Sequence, residues 1–186
     1  MIDINELRTG LTLLLDGNVY LVVEFQPVKP GKGAAFVRTR FRHMKQGTML
    51  ERTFRSGDKL EEAYVDERKL QFLYGGGGTY HFMDNQTYDQ VALDEEQVGQ
   101  AADLLKENMT VSIQEYKGQL LSFTLPLFVE LKVVEAEPGF RGDTAKGGSK
   151  NVKVETGATI QVPLFVQEGD LIKIDTRSRG YVGRIS

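Results

Sequence analysis

Rhythm constrains this chain more than any other feature. Apolar and polar residues alternate with a period of two through most of its 186 residues, and a turn signal interrupts them every ~10 residues. "GLTLLLDGNVYLVVEF" reads as strand, Asp16-Gly17 turn, strand. "AFVRTRFRHM" puts Val37, Thr39 and Phe41 on one side and Arg38, Arg40 and Arg42 on the other. "KLQFLYGGGGTYHFMD" is a hairpin across four glycines, and "VSIQEYKGQLLSFTL" turns at Lys117-Gly118. "ATIQVPLFV", "DLIKID" and "YVGRIS" continue the style, the last two around an Arg179-Gly180 turn. Strands this short, with turns this frequent, predict an all-β chain of small barrels or sandwiches.

Helical periodicity is confined to "LDEEQVGQAADLLKEN". Asp94 is placed to cap it, with Gln97 three residues on as a variant capping box. Val98, Ala101, Ala102 and Leu105 then share one face, which predicts a short amphipathic helix plugging a barrel. Asp94, Glu95 and Glu96 cluster at its start, where acids favour the helix dipole.

Charge divides the chain. Residues 1–63 carry ten Lys/Arg against eight Asp/Glu, residues 64–128 four against ten, and residues 129–186 nine against eight. One barrel spanning the whole chain fits these switches poorly. "LPLFVELKVVEAEP" reads as a strand carried across the second switch. The expectation is therefore three modules, 1–63, 64–128 and 129–186, each close to the lower size limit for a self-sufficient core. The stretch 137–151, rich in Gly and Lys, is expected to be an exposed loop.

With no cysteine, disulfides and thiolate zinc sites are excluded. No apolar run approaches the roughly 20 residues that span a bilayer. The opening "MIDINELRTG" has no apolar core of a signal peptide. A soluble, cytoplasmic protein with no membrane partner is expected.

Residues 28–55 hold eight Lys/Arg and a single acid, Glu51. Such a basic patch on an acidic chain suits an anionic partner met by one face, and it equally suits an ordinary solvated strand face. Arg38, Arg40 and Arg42, with Lys29, Lys45, Arg52 and Arg55 nearby, have the alternation needed to follow a phosphate backbone, contacts that position without reading sequence. Within "PVKPGKGAAF", Lys32 stands between Gly31 and Gly33, with Pro30 before them. A nucleotide phosphate loop is excluded there. Gln26 occupies the position where the first glycine is needed, Gly33 stands where Ser or Thr is needed, and a strand follows instead of a helix. Two readings stay open. Lys32 is a solvated tip residue on a tight turn, or the glycines clear space around a lysine that enters a narrow RNA-lined crevice. In the second, Pro30 lowers the ordering cost.

No catalytic constellation is visible, and no metal site is expected. The two histidines, His43 and His81, lack metal-ligand spacing, and there is no G-x-S-x-G nucleophile turn. His81, in an alternating strand, reads as structural. A small β-barrel hydrolase with scattered carboxylates stays open at this point.

The stretches "NELRTGL", "VKPGKGAAFVRTR", "ERTFRSGDK", "LQFLY", "HFMD", "VELKVVEAEPGFRGDTA", "TGATIQVPLFVQEGD" and "YVGR" occur in order over nearly the whole chain. Together they resemble the bacterial translation elongation factor P family, with Val152 where that family's C-terminal signature usually has alanine. The resemblance implies an SH3-like (KOW-like) barrel at 1–63 and two oligonucleotide-binding (OB) barrels at 64–128 and 129–186, in an L shape similar to tRNA. It implies a non-enzymatic factor that binds the ribosome between the peptidyl and exit tRNA sites and rescues stalls at consecutive prolines. Lys32 would be the functional tip, shaped by Pro30, Gly31 and Gly33 and directed along the end of the peptidyl tRNA. The family often lengthens this lysine covalently, while some members act with it unmodified, so no cofactor is expected and a modification of Lys32 stays open. Expected partners are the ribosome, through rRNA and ribosomal proteins, the peptidyl tRNA and a lysine-modifying enzyme, with the chain acting as a monomer. The loop from Gly142 through Gly147 and Gly148 matches one that approaches the exit-site codon, although "KGGS" from Lys146 departs from the family in detail. Tyr181 and Arg184 match a C-terminal contact region, and equally suit strand residues closing a barrel. A paralogous or general RNA-binding barrel protein with another client is the alternative.

Overall fold

The computed structural model describes residues 1–138 and 148–185. Strand accounts for 58% of the described residues and helix for 7%, so the fold is all-β, built from three curled sheets. The first contains β1 (Ile2–Asp3), β2 (Thr12–Leu15), β3 (Asn18–Val28), β4 (Phe36–His43), β5 (Met49–Arg55) and β6 (Lys59–Glu62). They lie in the order β1-β6-β2-β3-β4-β5. Asp16 and Gly17 make the expected turn between β2 and β3. The inward set read from β4 is buried as alternation requires, with Val37, Thr39 and Phe41 at 4%, 0% and 0% exposure. Phe41 packs edge-on against Tyr20 and Phe54, and Leu13 and Val22 complete this core without exposed surface. His43 is structural. Its Nδ1 accepts from the backbone N–H groups of Lys45 and Gln46, at 3.2 and 3.0 Å.

The second sheet contains β7 (Asp66–Gly76), β8 (Thr79–Asp84), β9 (Gln90–Asp94), β10 (Thr110–Tyr116) and β11 (Gln119–Thr124), in the order β11-β10-β7-β8-β9. His81 stacks on Tyr74 with ring centroids 4.4 Å apart. The third contains β12 (Phe128–Ala136), β13 (Ser149–Val154), β14 (Thr159–Pro163), β15 (Leu171–Asp175) and β16 (Gly180–Ile185), in the order β14-β13-β12-β15-β16. Residues 149–151, expected in the loop, instead pair with β14. Residues 139–147, most of the expected 137–151 loop and including Gly147, lie outside the described residues. Two compact units emerge, Met1–Glu67 with Ile113–Ser122, and Arg68–Ser112 with Phe123–Ser186. Among the described residues no helix is long and apolar enough to cross a membrane.

The helix departs from its expectation in an informative way. Asp94 caps α1 (Glu95–Val98) with the capping box to Gln97 in place. The α-helix then stops, because Gly99 takes φ +62°, and a 3-10 helix, Gly99–Leu104, continues the chain. A 3-10 helix turns 120° per residue in place of 100°, so the face read at period 3.6 is not the face that packs. Leu104, outside that face, is fully buried in the core of the third sheet with Val129, Leu131 and Ile172. Polar contacts hold the segment there. Thr156 Oγ1 donates to the Asp103 carbonyl at 2.5 Å, and Arg179 donates to the Asp103 carboxylate and to the Gln100 carbonyl.

Leu104→Ala is expected to lower unfolding stability by about 2–5 kcal/mol, the range for truncating a fully buried leucine. Denaturant titration checks this, a loss below about 1 kcal/mol counting against Leu104 as a core residue. Asp84 gives a second test. Its carboxylate accepts from the Thr87 and Gln86 N–H groups and from Arg68 Nε, at 3.0, 2.7 and 2.8 Å. These bonds, the Thr87 one foremost, hold its pKa at about 2, below the ordinary 3.8. A carboxylate depressed on folding stabilises above its unfolded pKa, and that contribution fades as pH falls from about 4 toward 2. Asp84→Asn should therefore unfold at lower urea than the parent at neutral pH, with the difference shrinking over that acid window. A pH-independent difference would contradict this.

Candidate functional site

The site is built on the β3–β4 hairpin. Antiparallel pairing runs from Tyr20 opposite His43 to Val28 opposite Phe36, so the ladder reaches the base of the connecting loop, residues 29–35. Lys29, Pro30, Gly31, Lys32 and Gly33 are all exposed. Lys32 makes no hydrogen bond or ion pair with any described residue, and neither does Lys29. Rigid strands thus hold out a cation whose own side chain is uncommitted.

The two glycines beside Lys32 are there for different reasons. Gly33 sits at φ +109°, a backbone conformation that side chains with a Cβ resist, and a Cβ there would stand 3.9 Å from Pro30 Cγ. Gly31 has no such backbone demand, and a Cβ added to it would meet nothing within 4 Å. The fold requires Gly33 and is indifferent to Gly31.

Behind the loop, Arg38, Arg40 and Arg42 are exposed on one face of β4, as alternation predicts. Their surroundings differ. Arg40 Nη1 is 3.2 Å from Glu24 Oε2 on β3, and Glu51 on β5 stands directly across on the other side. The sequence reading missed Glu24. It lies before the basic segment, and a register shift between Val22 and Glu24 brings it opposite Arg40. Arg38 has its guanidinium carbon 5.9 Å from the Phe36 ring centroid. Arg42 makes no ion pair with a described carboxylate. Arg52 is paired with Asp16 at 2.6 Å.

The remaining expected contacts belong to the second unit. Gly148 lies under Leu164, and a Cβ there would come within 3.2 Å of Leu164 Cδ1, so this glycine has a packing reason of its own. Tyr181 packs against the core of the third sheet. Arg184 stacks over Phe165, 5.1 Å from its centroid, with Nη1 3.6 Å from Asp170 Oδ2. Among the described residues no group of three His, Asp or Glu side chains could hold a metal ion.

Comparison with known proteins gives this geometry a context. A protein of Symbiobacterium thermophilum named Elongation factor P is 56% identical over 184 residues, spanning 99% of this chain and 100% of the relative. The chain belongs to the elongation factor P family. Proteins of the same name from Natranaerobius thermophilus and Moorella thermoacetica are 51% and 52% identical, covering 100% and 99% of this chain and 98% and 100% of theirs. Three family models match in order. They are the elongation factor P KOW-like domain at residues 3–60, the elongation factor P OB domain at 65–123, and the elongation factor P C-terminal domain at 129–184. Among solved structures, eukaryotic translation initiation factor 5A from Methanococcus jannaschii superposes with a TM-score of 0.55 at 26% identity, over 67% of this chain and 91% of that one. A member of the same initiation factor family from Naegleria fowleri superposes at 0.54 over 67% of this chain and 96% of that one. Its 16% identity shows likeness of fold alone. Membership makes the chain a translation elongation factor with KOW-like and OB modules.

The two glycines give a paired test. Gly31→Ala should leave stability within about 0.5 kcal/mol of the parent. Gly33→Ala should cost about 1 kcal/mol or more, because alanine must enter the left-handed region. Thermal melts read both, and equal losses would refute the distinction.

Proposed function

We propose that this chain binds the ribosome between the peptidyl and exit tRNA sites and promotes peptide-bond formation at consecutive prolines by steadying the peptidyl tRNA. It acts by position, without chemistry of its own. The observation that carries this is Lys32, exposed and uncommitted at the tip of a strand-anchored loop, beside a glycine whose missing side chain the chain itself does not use. An omitted side chain with no internal purpose suits a loop that must enter a space walled by another molecule.

The physical problem at consecutive prolines is geometric. Proline holds φ near −65° and leaves the reacting ends poorly aligned. Restraining the tRNA and its attached chain in a near-attack arrangement lowers the entropic part of the activation barrier, and needs no acid, base or nucleophile. An ammonium on a flexible stem has three donors for phosphate and ribose oxygens. Covalent lengthening of Lys32 by a modifying enzyme would extend this reach, and a mass increase on the tip peptide of the native protein is its signature. In this reading the chain works as a monomer in the cytoplasm, with modules 1–63, 64–128 and 129–186.

Lys32→Ala should abolish synthesis of a polyproline reporter while leaving the thermal melt unchanged. Undiminished reporter synthesis by that variant would contradict the mechanism. Ribosome occupancy at Pro-Pro codons after depletion separates the reading from that of a general RNA-binding barrel protein. Raised occupancy supports it, and unchanged occupancy points to another client.

A further inference from the structure

The three arginines of β4 lie in three rows across the outer face of the first sheet. Arg38 is flanked by Gln26 on β3 and Thr53 on β5. Arg40 is flanked by Glu24 and Glu51, and Arg42 by Leu21 and Met49. Successive rows are two residues apart along the strand, roughly 7 Å, so Arg38 and Arg42 emerge roughly 14 Å apart. The row between them holds two carboxylates and one guanidinium. The face is therefore no continuous basic stripe, but two cationic points separated by a net acidic bar.

We propose that this face holds RNA at two separated backbone phosphates, one on Arg38 and one on Arg42, and that the Glu24–Arg40–Glu51 row is a spacer that phosphates avoid. This rests on the reading that the chain meets ribosomal or transfer RNA. Binding to nucleic acid gains free energy when protein cations neutralise phosphates and the counterions condensed on them are released into bulk solution. Arg40 is already neutralised from within, at 3.2 Å from Glu24, and a phosphate placed on it must also approach Glu51. Arg38 and Arg42 face no carboxylate in their own rows. Glu62, Asp66 and Glu67 line the same cavity as Arg42, so of the two points Arg38 is the stronger, although none of these acids lies in Arg42's own row. Its row neighbours, Leu21 and Met49, carry no charge to compete with a phosphate for the Arg42 guanidinium.

The test measures affinity of the full chain for ribosomes carrying peptidyl tRNA, across a series of salt concentrations. Arg38→Gln and Arg42→Gln should each weaken binding and flatten the dependence of log affinity on log salt by about 0.7–0.9. The double variant Glu24→Gln with Arg40→Gln, which removes the pair as a neutral unit, should keep the parental slope. Glu51→Gln should tighten binding by about two- to fivefold at low salt. A double variant that flattens the slope as much as Arg38→Gln, or a Glu51→Gln that fails to tighten binding, overturns the two-point footprint while leaving the RNA-facing reading intact. Parental binding without any salt dependence overturns both. Thermal melts of each variant separate these effects from misfolding.

Discussion

Everything proposed for this chain depends on the register of one antiparallel ladder. Val22 and Phe41 face each other with no exposed surface. Slipping β4 by one residue against β3 would bring an arginine into that place and turn Phe41 to solvent. Burial of these two side chains therefore decides, well away from the loop, which way three guanidinium groups point. The same ladder, ending at Val28 opposite Phe36, pins both ends of residues 29–35. The tip needs no side-chain bonds of its own to be held out, which leaves Lys32 free for another molecule.

Much of the fold was legible because alternation is a local signal. The inward set on β4, the Asp16-Gly17 turn and the Asp94–Gln97 cap each depend on residues a few positions apart, and each appears as read, whereas the turn placed at Arg179-Gly180 falls at 176–179, with Gly180 already paired with Asp175 in β16. What escaped depended on register or on backbone angle. Glu24 faces Arg40 only because the ladder shifts between Val22 and Glu24, and nothing in "YLVVEF" announces that shift. Leu104 was passed over for Leu105 because a helical wheel assumes 100° per residue, whereas the chain after Gly99 follows a tighter helix. Leu105 is buried as well, so the period misjudged which leucine enters the third sheet's core without misjudging that the segment packs.

Charge composition was legible as a total and misleading as a map. The segment 28–55 counts as strongly basic, yet the fold spends two of its cations internally, Arg40 on Glu24 and Arg52 on Asp16. Arg184 in the second unit is likewise engaged, with Phe165 and Asp170. A surface's pull on an anion follows from cations left unpaired after folding, and pairing across strands is set by register. In an all-β chain, counts of lysine and arginine therefore overstate what a partner meets.

The placement of Leu104 also bears on how the chain is made. It is synthesised before β12, β13 and β15, whose side chains enclose it. Emerging from the N-terminus first, the chain presents this leucine uncovered, and both the sheet that encloses it and the Thr156 and Arg179 contacts that fix its segment arrive later. Until that sheet closes, Leu104 is an apolar side chain exposed to any other partner, so the interval between its emergence and the arrival of β15 is when the segment is most open to wrong contacts.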